Sequence, residues 1–368
     1  MLPCSIVHTR IIRADQAYPA PDAIREGAEI IRSGGLVVFP TETVYGLGAN
    51  AFDSHACGRI YEAKGRPSDN HLIVHVSSLD MLRTVADNVP ESVIEIIRDL
   101  WPGPLTLLFR KSADVPPRVT GGSEYIAVRM PDCRLALDLI SMAGVPIAAP
   151  SANVSGKPSI VNGLDAAVYL DGKVDLIYDS GNTRFGLEST ILDISGKMPV
   201  LLRPGSYGVE FLEKYFGRIT LPETLKISER RNIPITPGMK YRHYSPDKPL
   251  YLVDNPVLMD EIASGKYGGN ISLIAPEEVC RRSRVPCISL GDGSDLNVVA
   301  SKLFQALSAV DHTEGDIAFA PTFPSAGIGL AIMNRLVKAS LATISHERQV
   351  TVAIDRGKPG IRLAKRDK

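Results

Sequence analysis

The chain has no net charge to advertise a partner: across its 368 residues, 41 basic and 41 acidic side chains cancel. A balanced chain carries no global field, so attraction to nucleic acid or an anionic membrane could come only from a local patch. No apolar run reaches the roughly 20 residues that cross a bilayer, so no membrane span is expected. The start, Met1-Leu2-Pro3-Cys4, lacks a charged region followed by an apolar one. No secretory signal is expected, and the reading is cytoplasmic. Cysteine is scarce: Cys4, Cys57, Cys133, Cys280 and Cys287 make an odd set with no C-x-x-C pair. That argues against a zinc site or a disulfide framework and for free thiols in a reducing compartment. Cys280 and Cys287 could pair, but Pro286 and the basic residues between them give no particular reason to. Also missing are a dinucleotide fingerprint and a Walker loop. Nor is there a Ser-His-Asp order, a carboxylate pair or a metal-ligand cluster.

What is present is a globular pattern, 44% hydrophobic, with length for about two domains at roughly 150 residues each. The boundaries read as 1–221, a linker at 222–248, a second domain at 249–350 and a basic tail at 351–368. Ile24, Ala28, Ile30 and Ile31 predict an amphipathic helix over Pro21–Arg32, bounded by a proline and by Gly34-Gly35. Leu36–Phe39 reads as a buried strand. Thr41 to Gly48 follows as a hydroxyl- and glycine-rich loop, where ligands sit in open α/β folds. Asp53 caps a helix running to about Ala63, and the Lys64–Asn70 loop leaves it. Strands are expected at 72–76, 105–109, 126–130, 145–149, 174–179 and 200–205. From Pro249 strands and helices alternate, as in a small α/β unit with a parallel sheet.

Several side chains at these strand ends and loops are not explained by core packing. Lys64 and Arg66 either complement the dipole of their helix or grip an anion. Arg129 ends an apolar strand and needs either an anionic ligand or a buried carboxylate. His75 lies within a strand, where a satisfied core histidine is the usual outcome. Ser151 and Asn153 follow a small-residue strand that permits close backbone approach. With Thr43, Asn70, Ser159, Ser189 and Arg203 they make a cationic, hydroxyl-rich set. Such a set suits positioning and stabilising phosphates, with Mg²⁺ carried in by the nucleotide. The linker interleaves Tyr241, Arg242, His243 and Tyr244. Such residues fit a lid over the pocket or a stacking contact with RNA. The basic tail fits a solvated end or a weak RNA contact.

Taken in order, the motifs resemble a known family. They are Phe39-Pro40-Thr41-Glu42-Thr43-Val44-Tyr45-Gly46-Leu47-Gly48, Lys64-x-Arg66 with Asn70, Trp101-Pro102-Gly103-Pro104 and Ala127-Val128-Arg129. Pro150-Ser151-Ala152-Asn153, Glu188-Ser189-Thr190 and Leu202-Arg203-Pro204-Gly205 follow, then Pro237–Tyr244 and Gly327–Arg335. The chain resembles the threonylcarbamoyl-adenylate synthases with a YrdC-like catalytic domain, in their long two-domain form. The resemblance implies a twisted, mostly parallel α/β sheet followed by a smaller Rossmann-like domain. It implies a nucleotidyltransferase that makes threonylcarbamoyl-AMP, pyrophosphate and water from L-threonine, bicarbonate or CO₂, and ATP. A partner transferase would then modify tRNA beside the anticodon. Carried over by position, Thr43, Arg66, His75, Arg129, Ala149 (through its backbone) and Ser189 would hold threonine. Lys64, Asn70, Tyr125, Ser151, Asn153, Ser159, Arg203, Tyr241 and His243 would hold ATP. Tyr125 stands where the family usually has threonine, so its contact would be through backbone. Two rivals stand beside this: a carbamoyl-transferring maturation protein, whose acylphosphatase and zinc-finger modules are missing here, and a non-catalytic RNA-binding module.

Overall fold

A computed structural model of the chain describes residues 8–68, 70–222, 244–344, 349–355 and 358–364. Tyr241 and His243, and with them the lid reading of the linker, lie outside the described residues. The chain divides into two compact units, Met1–Ser155 with Ser159–Leu225, and Gly156–Pro158 with Lys226–Lys368.

In chain order the first unit contains β1 (Arg10–Arg13), α1 (Pro21–Arg32), β2 (Val37–Phe39), β3 (Gly46–Asn50), α2 (Ser54–Lys64) and β4 (Ile73–His75). Next come α3 (Leu79–Val85), β5 (Ala86–Asp87), α4 (Glu91–Leu100), β6 (Leu105–Lys111), β7 (Tyr125–Arg129) and α5 (Arg134–Ala143). It closes with β8 (Ile147–Ala149), α6 (Gly163–Leu170), β9 (Leu176–Asp179), β10 (Thr190–Asp193), β11 (Val200–Arg203) and α7 (Val209–Phe216). Helix α1 has the expected bounds: Pro21 opens it, where a missing N–H costs nothing, and Ile24, Ala28 and Ile31 are buried. They pack with Leu135, Leu139 and Ile140 of α5 over β2, β8 and β9. Full burial of each of these isoleucine and leucine side chains contributes roughly 1.5–3 kcal/mol.

The sheet order is β1-β9-β2-β3-β8-β4-β7-β6-β10-β11, with β5 on β6. The α/β architecture is the expected one, but the ladders are mixed rather than mostly parallel. β1–β9, β2–β9, β4–β7 and β6–β10 are parallel. β2–β3, β3–β8, β4–β8, β5–β6, β6–β7 and β10–β11 are antiparallel. The cause is local. The stretch expected to stay a loop up to Gly48 turns back at Thr41–Tyr45 and pairs as β3. Gly48 belongs to this strand because a Cβ there would lie 2.7 Å from both the Phe39 ring and Ile147. The glycine makes room for packing rather than for a loop.

The second unit contains β12 (Leu250–Val253), α8 (Pro256–Ala263), β13 (Ile271–Ala275), α9 (Glu277–Cys280) and β14 (Cys287–Ser289). α10 (Leu296–Ala309), β15 (Ile317–Pro321), α11 (Gly329–Ala339) and β16 (Ala342–Ile344) follow. Its five strands run in the order β14-β13-β15-β12-β16, and every ladder is parallel. Tyr244, from the aromatic linker segment, stacks on Phe304 of this unit at 5.2 Å. One sequence expectation fails here. Cys280 and Cys287 form a disulfide, because α9 and β14 bring their Cα atoms to 5.4 Å. The basic tail also contains regular structure: β17 (Gln349–Asp355) and β18 (Lys358–Ala364) pair as an antiparallel hairpin.

Candidate active site

The Lys64–Asn70 loop and the Pro150–Asn153 segment meet. Asp53 caps α2 through Oδ1, which accepts from the backbone N–H of His55 and Ala56. Gly65 ends the helix in the left-handed region at φ 59°. Lys64 is thereby left on the last turn, buried at 2% exposure, where its Nζ donates to the carbonyls of Ser151 and Asn153. Burial first, then the Arg66 charge, hold its ammonium well below the ordinary lysine range, with Glu188 opposing. On the other side, Leu47 N–H donates to Pro150 O and Ala152 N–H donates to Tyr45 O. The hydroxyl loop and the Ser151 loop are thus laced together. Ser151 Oγ donates to Asn153 Oδ1 at 2.5 Å.

A second cluster sits at the carboxyl ends of β4 and β7, where His75 and Arg129 are register partners. Both are buried. Arg129 donates from Nη1 to Thr43 Oγ1 at 2.9 Å and from Nη2 to Glu42 Oε2 at 2.5 Å. Of the two partners open to Arg129, the buried carboxylate is present: Glu42 lies 2% exposed beneath it. Thr41 Oγ1 shares a hydrogen bond of 2.8 Å with Thr43 Oγ1 and accepts from the Thr43 and Val44 N–H groups, which fixes the loop. Burial, and then the Arg129 charge, push His75 down to about 3, so the ring is neutral at neutral pH. Its edge meets Phe39 at 5.9 Å. Ala149 ends β8 opposite Ile73, two residues from His75.

A third cluster joins β6, β10 and β11. Ser189 Oγ lies 2.7 Å from Thr106 Oγ1 and accepts from Arg203 Nη2 at 3.1 Å, while Arg203 Nε donates to Ser189 O. Ser159 Oγ donates to Glu188 Oε1 at 2.6 Å. Gly205 permits this junction: a Cβ there would stand 2.3 Å from Thr190 N and 2.5 Å from Glu188 O.

Most of the residues singled out from the sequence fall into these clusters. Arg66 and Asn70 remain on the α2 exit loop, Arg66 donating to His71 O at 3.4 Å and Asn70 Nδ2 to Pro67 O at 3.3 Å. Tyr125 stands apart, at the opposite end of β7 from Arg129 and 39% exposed. At a rise of about 3.3 Å per residue that is roughly 13 Å away. Sequence reasoning gave no role to Glu42, Glu188, Thr41 and Thr106. The signal for Glu42 was the cation at the end of an apolar strand, which called for a buried carboxylate.

Comparison with known proteins places the chain. The family described as Telomere recombination matches residues 29–205, and that described as Threonylcarbamoyl-AMP synthase, C-terminal domain matches residues 208–340. The threonylcarbamoyl-AMP synthase of Bacillus subtilis is 44% identical over 324 residues, covering 86% of this chain and 92% of the relative. The chain belongs to the threonylcarbamoyl-AMP synthase family. Another member of this synthase family, from Pyrococcus abyssi, is 43% identical over 326 residues, covering 86% of this chain and 94% of the relative. The solved structure of P. abyssi Sua5 complexed with L-threonine superposes with a TM-score of 0.81 at 41% identity, covering 93% of this chain and 99% of that one. Both units of this threonylcarbamoyl-AMP synthase family member are therefore shared with its relatives. Among the described residues, no helix is long and apolar enough to cross a membrane.

Proposed function

We propose that this chain makes threonylcarbamoyl-AMP from L-threonine, bicarbonate or CO₂, and ATP, releasing pyrophosphate and water by nucleotidyl transfer. The observation that carries the reading is the buried Glu42–Arg129–Thr43 constellation beside neutral His75, in a chain whose structural relative is complexed with L-threonine. Thr43, Arg66, His75, Arg129, Ser189 and the Ala149 backbone would receive the amino acid. Arginine suits a carboxylate because its donors form a planar fork. Lys64, Asn70, Ser151, Asn153, Ser159 and Arg203 would receive ATP, with Tyr125 at its backbone and Tyr241 and His243 from the linker.

In this scheme bicarbonate gives up hydroxide to become CO₂. The threonine amine attacks its carbon as one C=O pair moves onto oxygen, and the proton lost from nitrogen joins the hydroxide as the water released. With CO₂ as the carbon source that proton passes to solvent and no water forms. A carbamate oxygen then attacks the α-phosphorus in line, and the bond to pyrophosphate breaks with its electron pair leaving on the pyrophosphate. Lys64 and Arg203 act by holding charge on the phosphates, which is the main source of rate in such transfers. A bound phosphate would also favour the charged form of Lys64, which burial disfavours. The metal would come with the nucleotide. Mg²⁺ would then be ligated by phosphate oxygens and water, and would neutralise the leaving group. The product suits a transferase that modifies tRNA, and such a reaction belongs in the cytoplasm. ATP should release pyrophosphate only when threonine and bicarbonate are both present. Release without threonine would favour a different enzyme, and RNA binding without release would favour a binding module.

A further inference from the structure

The ion pair at the centre of the site is incompletely satisfied on both members. Glu42 Oε2 accepts from Arg129 Nη2, but buried Oε1 has no hydrogen-bond partner among the described residues. Arg129 spends Nη1 and Nη2 on Thr43 and Glu42, but buried Nε has none. Nδ1 of the neighbouring His75 is likewise unpartnered. Buried polar atoms are rarely left so, and least of all charged ones. One wants a donor and one wants an acceptor, and they belong to side chains already joined at 2.5 Å.

Among the described residues, no other charge along the neighbouring cavity is placed to serve Glu42. It also borders a cavity of about 340 Å³ walled by Gln16, Tyr18, Asp132, Arg134 and Arg184. The cations there are engaged, Arg184 with Asp132 at 2.6 Å and Arg134 with Asp138 at 2.8 Å. Gln16 donates its amide to the carbonyls of Ser180 and Asn182.

We infer that Glu42 Oε1 is the receptor for the substrate's α-ammonium, next to Arg129 as receptor for its carboxylate. This rests on the threonine-binding reading above and adds a residue to it. A zwitterionic α-amino acid carries a cationic donor and an anionic acceptor on one α-carbon, the complement of the two orphan atoms. Bound there, the four charges alternate in sign from ammonium to Glu42 to Arg129 to carboxylate. Glu42 is then a specificity-determining residue that tells an amino acid from a plain hydroxy acid.

The test compares threonine with its des-amino analogue, 3-hydroxybutanoate, by calorimetry on the full chain, wild type and Glu42→Gln. The amide keeps the shape and can still accept from Arg129, but carries no charge for the ammonium. The wild type should prefer threonine strongly. Glu42→Gln should weaken threonine by about tenfold to a hundredfold, the worth of a charged hydrogen bond, and the analogue by less than about threefold. Glu42→Asp, which keeps the charge, should recover part of the preference. Equal losses for the two ligands would overturn the inference, because Glu42 would then only orient Arg129. Unchanged threonine affinity would overturn it too. A wild type that binds no threonine would instead sink the underlying reading. ATP affinity and the unfolding midpoint, read on the same samples, separate a misfolded Glu42→Gln from a specific one; if it misfolds, Glu42→Asp against wild type decides by the same ratio.

Discussion

His75 gives the account a quantitative handle. Its ordinary value is 6.5, and burial against the Arg129 guanidinium pushes it down to about 3 in the fold. Between those values the unfolded chain holds a proton that the folded chain refuses. Stability therefore rises with pH across the window: the contribution is fully present above about 6.5 and is lost as pH falls toward about 3. Between pH 7.5 and pH 5 the linkage amounts to about 2 kcal/mol, a large part of a typical domain's stability. Trp101 is the only tryptophan and lies buried in the first unit, so its fluorescence in urea reports that unit's unfolding. His75→Asn removes the titrating ring. The diagnostic is the difference between wild type and variant, which should shrink by about 2 kcal/mol on going from pH 7.5 to pH 5. A difference that stays constant across that range would refute the assignment of a buried, neutral His75 beside a cation.

Other consequences follow from the same structure. Because burial and Arg66 hold the free Lys64 ammonium low, phosphate binding should raise it, so ATP should take up protons on binding and bind more weakly as pH rises; calorimetry in buffers of different ionisation enthalpy that finds no uptake would contradict this. Gly205→Ala forces a Cβ onto the Glu188–Thr190 backbone and should destabilise the first unit by about 2 kcal/mol or more, read as a lower urea midpoint of Trp101 fluorescence; an unchanged midpoint would be the contrary result. The Cys280–Cys287 bridge spans a sequence separation of 7, so closing so short a loop should contribute about 2.5 kcal/mol. Reductant should therefore lower the melting temperature of the wild type but not of a Cys280→Ser/Cys287→Ser protein, and equal responses would exclude the bridge as a contributor.

Which features could be read from the sequence follows from how local their causes are. Helix α1 was legible because a proline, an apolar stripe and a glycine pair act within one local stretch, Pro21 to Gly35. The five-stranded parallel sheet was legible from alternation, except β16, a three-residue edge strand whose pairing with β12 is set by tertiary contact. The mixed pairing of the large sheet was not legible: two glycines in Tyr45–Gly48 look like loop chemistry until Phe39 and Ile147 are seen to fill the space above Gly48. The disulfide was hidden for the same reason, since spacing alone does not say that α9 folds back on β14. In the site, the cations were visible as anomalies in apolar surroundings. Their acidic partners, Glu42 and Glu188, read as ordinary polar loop residues, because what singles them out is burial against side chains 87 residues downstream for Glu42 and 29 residues upstream for Glu188.

The measurement closest to the central claim is the isolation of the product itself. Incubation with ATP, L-threonine and labelled bicarbonate should give one species containing AMP, threonine and the labelled carbon, together with an equal amount of pyrophosphate. Lys64→Ala should lose that species while the wild type forms it. Pyrophosphate release with no label in an adenylate product, or full product formation by Lys64→Ala, would contradict the assignment of this site to threonylcarbamoyl-AMP synthesis.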